Sequence, residues 1–208
     1  MTKRNNDLHG NVPEDSAAAL LLIDLISDFD FPNGERLAAK AEAIAPAVAE
    51  LKARARAARI LAIYANDNFG RWTSDFRRLV EHCAADGARG RLIAQMLAPA
   101  DDDYFVLKPK HSGFFSTTLE LLLRYLHAET LILAGLTTDV CVMFTANDAY
   151  MREYRLWIPA DCCAAVQSRD HEYALDYMRR VLDANIAPSP AVNLAVLRDQ
   201  AVRASTSD

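Results

Sequence analysis

Six short, largely apolar runs punctuate the chain: Ala17–Ile23, Ile60–Ala65, Tyr104–Leu107, Leu131–Ala134, Arg155–Ile158 and Ala184–Ala187. They do not alternate with polar positions, as a strand with one wet face would. Runs of this kind suit strands buried on both faces, the situation in a parallel sheet. Between them lie segments of helical composition: Arg36–Ala58, Ser74–Cys83, Arg89–Met96, Thr117–Leu126, Val142–Glu153 and His171–Leu182. Pro46 falls inside the first and predicts a kink or a split there. The alternation predicts an α/β fold, a three-layer α/β/α sandwich on a mostly parallel, about six-stranded Rossmann-like sheet with right-handed crossovers. Residues 1–16 are polar and aperiodic and read as a mobile N-terminal arm, leaving one domain over 17–203.

Charge narrows the choice of partner. The net charge is −5, with basic residues scattered among acidic ones rather than gathered in a stripe. That weighs against a nucleic-acid or anionic-membrane partner and leaves a small-molecule substrate. The N-terminus lacks the apolar core of a signal peptide. The longest apolar run stops at Asp24, far short of a bilayer span. A cytoplasmic location follows as the expectation. The four cysteines, Cys83, Cys141, Cys162 and Cys163, match neither a zinc pattern nor a disulfide framework, and a reducing compartment keeps them as thiols.

In open α/β sheets, ligands bind beyond the carboxyl ends of the strands. Asp24, Lys108 and Cys141 each fall at or just past such an end. Cys141 closes the stretch Gly135-Leu-Thr-Thr-Asp-Val-Cys141, between a strand and a helical segment, which places its sulfur near the positive end of a helix dipole. In such a setting Lys108 would stabilise a thiolate, Asp24 would take the thiol proton and return it to a leaving amine, and turn N–H groups would hold an oxyanion. Taken singly, each residue has a plainer explanation: a helix cap, a solvated lysine, a small core hydrophobe. Spacing alone leaves the choice open.

Three segments resemble the isochorismatase-like cysteine hydrolases, nicotinamidase-related amidases. Ala19-Leu-Leu-Leu-Ile-Asp24 with Asp28-Phe29 is similar to their opening strand. Val106-Leu-Lys108-Pro-Lys-His-Ser-Gly-Phe114-Phe115, followed by Thr118-Leu119, resembles their lysine segment. Leu131-Ile-Leu-Ala-Gly135-Leu-Thr-Thr138-Asp-Val-Cys141-Val142, with Thr145, Asp148 and Ala149, resembles their nucleophile segment. The resemblance spans roughly residues 17–190. It implies a catalytic triad of Asp24, Lys108 and Cys141, a cis peptide between Leu136 and Thr137, and oxyanion donors at the backbone N–H groups of Thr137 and Cys141. It also implies a homo-oligomer, a dimer or larger, for which Phe69, Trp72 and Phe76 offer an apolar contact.

The sequence departs from the pattern in two places. Ile26 stands where the family often has Gln. The stretch Tyr64-Ala-Asn66-Asp67-Asn68-Phe69-Gly70-Arg71-Trp72 lacks the Asp-x-His core that the nicotinamidase branch uses for a metal. No metal and no cofactor are therefore expected. The cysteine implies C–N hydrolysis of a small amide, ureido or carbamoyl compound through a Cys141 thioester. The alternatives are vinyl-ether hydrolysis of the isochorismatase type and a non-catalytic oligomeric binding protein. Phe29, Asn68, Arg71, Trp72 and Phe114 are the candidate substrate contacts, although the Asn66–Trp72 loop could equally pack on a neighbouring subunit. His111 could polarise substrate or be structural. Cys83, Cys162 and Cys163 read as packing.

Overall fold

The structure is a computed structural model that describes residues 16–67 and 75–198. Except for Ser16, the arm expected at the N-terminus lies outside the described residues.

The chain forms β1 (Ala18–Ile23), α1 (Gly34–Ala57), β2 (Leu61–Asp67), α2 (Phe76–Ala84), α3 (Arg91–Met96), β3 (Tyr104–Lys108), α4 (Leu119–Tyr125), β4 (Thr130–Leu136), a π-turn (Thr138–Val142), α5 (Met143–Tyr150), β5 (Arg155–Trp157), β6 (Cys163–Ala164) and α6 (Ser168–Val181). The strands form one parallel sheet in the order β3-β2-β1-β4-β5, with β6 also paired to β4. β1 and β4 are buried along their whole length because helices cover both sides. Leu20 and Leu22 point into one core with α1, α2 and α3. Ala19, Leu21 and Ile23 point into a second core with α4, α5 and α6. The three-layer sandwich read from the apolar runs is the fold observed. No helix among the described residues is long and apolar enough to cross a membrane.

Three expectations change. Ala184–Ala187 is not a strand. Asn185 makes one isolated bridge to Trp157, and Pro188, which has no N–H to give a ladder, follows at once. The sixth strand is instead Cys163–Ala164, which is too short to carry a recognisable pattern. Pro46 does not split α1, which runs unbroken for 24 residues and buries Leu37, Ala41, Ala45, Val48, Leu51 and Ala55. Phe76 does not face outward. It is buried, with its ring 5.4 Å from that of Tyr64 and 5.0 Å from that of Phe105. Phe69 and Trp72 lie outside the described residues. Cys83, Cys162 and Cys163 are buried free thiols, and Cys163 donates to the Leu133 carbonyl at 3.7 Å.

The strand order reverses between β1 and β4, because successive strands are added outward from β1 on one side and from β4 on the other. A crevice opens beyond the strand ends at such a switch point. Gly135 pairs with Ile23 there at φ +138, and a Cβ at this position would stand 2.0 Å from the Ile23 carbonyl oxygen. Gly135→Ala is expected to destabilise the fold by ~3 kcal/mol or more through backbone strain and the clash, measured as a lower urea midpoint with unchanged slope.

Candidate active site

Asp24, Lys108 and Cys141 meet at this switch point. Lys108 is the last residue of β3 and is completely buried, although it is two strands away from β1. Its Nζ reaches over the end of β2 to Asp24 Oδ2 at 2.7 Å and stands 3.6 Å from Cys141 Sγ. The Lys110 carbonyl accepts from the same ammonium at 3.3 Å. Asp24 follows β1 at φ +50, and its other oxygen accepts the Asp67 N–H at 2.7 Å. The ends of β1, β2 and β3 are thus tied together through one carboxylate.

The segment carrying Cys141 is fixed from several sides. The Leu136–Thr137 peptide is cis. The Thr137 carbonyl accepts the N–H groups of Val140 and Val142, both at 3.1 Å, which closes the π-turn. Thr145 donates its hydroxyl to the Cys141 carbonyl at 2.7 Å and accepts the Gly113 N–H at 3.0 Å. Ser112 donates to Asp148 Oδ2 at 2.5 Å. These last contacts lock the loop after Lys108 onto α5, so lysine and cysteine keep a fixed relation.

Electrostatics overturns one expectation. Burial, reinforced by the Asp24 carboxylate, pushes the Cys141 thiol up to about 12, and the opposing charge of Lys108 does not reverse this. This direction favours the thiol over the thiolate expected beside a lysine and a helix N-terminus. The positive charge is already committed to Asp24. Burial also raises Asp24 above the ordinary carboxylate value, with Lys108 pulling the other way. Burial is the largest influence on Lys108 and opposes its charge, but Asp24, with Cys141 and Asp67, together leave the lysine above its ordinary value. The neutral thiol and the Asp24–Lys108 ion pair together make an acid–base unit that needs only one proton transfer to become nucleophilic.

Asp24 and Cys141 border a cavity of about 400 Å³ lined also by Ser27, Phe29, Phe31, Leu37, Asp67, His111, Leu136, Thr137 and Val140, with Lys108 buried behind them. Phe29 is part of this wall. Phe114 is not. It lies in the α4–α5 core, with its ring 6.1 Å from that of Tyr154 and the Arg152 guanidinium 4.8 Å from its centre. Asn68, Arg71 and Trp72 lie outside the described residues. His111 is exposed, with Nδ1 3.9 Å from Cys141 Sγ and its ring against that of Phe144. Ser27, Phe31, Leu37 and Val140 escaped the sequence reading. Asp28-Phe29 pointed to the loop, but no local pattern shows which of its residues turn inward.

Asp67 lines the cavity, but no group of three or more His, Cys, Asp or Glu that could hold a metal ion stands together among the described residues.

Comparison with known proteins supplies the family. The isochorismatase domain model matches residues 18–186. The chain belongs to the isochorismatase family. It is 45% identical over 168 residues to the isochorismatase family protein YaaI of Bacillus subtilis, covering 81% of this chain and 92% of YaaI. The crystal structure of nicotinamidase PncA from Bacillus subtilis superposes with a TM-score of 0.65 at 27% identity, over 82% of this chain and 99% of that one. A shorter match, 39% identical over 70 residues, is to the ureidoacrylate amidohydrolase RutB of Methylorubrum extorquens, covering 34% of this chain and 28% of RutB.

Removing Asp24 should expose the cost of burying Lys108. In Asp24→Asn, burial acts on the lysine with its main opponent gone, so its pKa falls below the ordinary value. A lysine depressed in this way destabilises the fold at pH values where it must be charged and stops doing so once it is neutral in both folded and unfolded chains. The variant is expected to lose about 3 kcal/mol relative to wild type at pH 6–8. The gap should narrow as pH approaches 10, read from urea midpoints across that range.

Proposed function

We propose that this protein is a metal-independent cysteine hydrolase that cleaves a C–N bond of a small amide, ureido or carbamoyl compound through a thioester on Cys141. The observation that carries the reading is the buried Lys108 ammonium, 2.7 Å from Asp24 and 3.6 Å from Cys141 on the wall of the cavity. The amide-cleaving relatives PncA and RutB support the reaction class.

Attack of Sγ on the carbonyl carbon passes the thiol proton to Asp24. The Thr137 and Cys141 N–H groups hold the resulting oxyanion. Its collapse breaks the C–N bond, and Asp24 gives its proton to the departing nitrogen. Water then attacks the thioester and yields a proton to Asp24. Release of the acid product returns that proton to sulfur. A carboxyl held above its ordinary value by burial suits a group that must accept and return a proton in each half-reaction. Lys108 keeps Asp24 in place and offsets negative charge as it moves between carboxylate and sulfur. No step calls for a metal.

The test is turnover on a panel of amides, ureas and carbamates. Cys141→Ala should bind substrate without turning it over, and Asp24→Asn should lose ~10²–10⁴-fold in rate. Quenched wild-type enzyme should carry an acyl mass on Cys141. Near-normal turnover by Cys141→Ala would refute covalent catalysis and favour vinyl-ether hydrolysis.

We place the enzyme in the cytoplasm as a homo-oligomer. Phe144 and Tyr150 on α5 and Met151 just after it support assembly, since they are exposed large apolar groups. Light scattering at micromolar concentration should return the mass of a dimer or larger, and a monomer mass would overturn the assembly.

A further inference from the structure

His171, in the first turn of α6, lies outside the cavity, yet it holds the turn that carries the nucleophile. Its Nδ1 is 2.8 Å from the hydroxyl of Thr138, the first residue of the π-turn, and Thr138 is completely buried. α6 packs directly against this turn. The two ends of the turn have other anchors. Thr137 binds it through its own carbonyl, and Thr145 binds the Cys141 carbonyl from α5. At the first residue of the turn, the side-chain tie to another element is His171. A buried hydroxyl needs a partner, so losing the imidazole would leave Thr138 unsatisfied and free to reorient the turn.

We infer that His171 is a positioning residue which, through Thr138, aims the Thr137 N–H and Cys141 at the substrate carbonyl. The inference rests on the reading of Cys141 as nucleophile and Thr137 as oxyanion donor. The imidazole suits the role because burial lowers its pKa, against smaller opposing effects from Glu172 and Asp139, while Lys40 acts in the same direction as burial. A neutral ring keeps one nitrogen as acceptor and the other as donor. Thr138 can give or take the bond, so one contact serves either tautomer. Displacements of an ångström at a reacting centre lower rates by up to ~10²-fold, which is why a side chain that never touches substrate can matter.

The probe is benzaldehyde labelled with carbon-13 at the carbonyl. It forms a thiohemiacetal on an accessible nucleophilic sulfur, and the new oxygen then occupies the oxyanion site. Carbon-13 NMR should show the adduct on wild type and not on Cys141→Ser. Its absence from wild type would overturn both the nucleophile reading and this inference. With the adduct established, His171→Ala should weaken aldehyde binding about tenfold with circular dichroism unchanged. His171→Asn, whose amide overlies the Nδ1 position, should recover most of the loss. Thr138→Val should weaken binding as much as His171→Ala, and the double variant no further. A merely structural histidine would lower the melting temperature without this pattern. Wild-type affinity in His171→Ala, no recovery with asparagine, or additive losses in the double variant would each overturn the assignment.

Discussion

The ion pair between Lys108 and Asp24 organises the carboxyl edge of the sheet. A lysine with no solvent exposure needs a partner, and here that partner sits two strands away, beyond the end of β2. The carboxylate answers with both oxygens, one to the ammonium and one to the Asp67 N–H. Breaking such a pair leaves a buried charge uncompensated, a far larger penalty than the pair's own net contribution. The geometry of three strand ends is therefore coupled to one electrostatic contact. The same contact bears on the sulfur, second to burial itself. Because Asp24 has already claimed the lysine's charge, Cys141 is left with burial and a nearby carboxylate, and both favour the protonated thiol.

The two faces of the sheet divide the remaining work. On the α4–α5–α6 side, Ser112 and Gly113 fasten the lysine loop to α5, Thr145 fastens Cys141, and His171 fastens Thr138. Rigid placement of a nucleophile depends on such supporting contacts as much as on the reacting groups. On the α1–α2–α3 side, the loop after β1 brings Ser27, Phe29 and Phe31 to the cavity. That loop has its own braces: Arg89 donates to the Phe29 carbonyl at 2.9 Å, and His82 Nε2 lies 2.8 Å from Asp28. Gly90 packs so closely on the Ser27 carbonyl that a Cβ would come within 1.7 Å of its oxygen. The Lys108 and Cys141 segments and the apolar wall are thus braced by different elements.

The sequence by itself determined the layered fold. Runs such as Ala18–Ile23 and Thr130–Leu136 are apolar because both faces of their strands are covered, and that burial leaves a one-dimensional trace. It also put Asp24, Lys108 and Cys141 at strand ends, since the chain order of a parallel sheet fixes which termini share an edge. The tertiary structure decided what depends on neighbours remote in sequence. Cys163–Ala164 pairs because β4 lies beside it, whereas Ala184–Ala187, apolar enough for a strand, ends against Pro188. Phe114 and Phe29 are both aromatic residues in suggestive segments, yet one fills a core and the other faces the cavity. The protonation of Cys141 was equally beyond reach from spacing. A lysine and a helix N-terminus argue for a thiolate, whereas burial first and the nearby Asp24 carboxylate second push the other way, because charges act through distance and burial rather than through order along the chain.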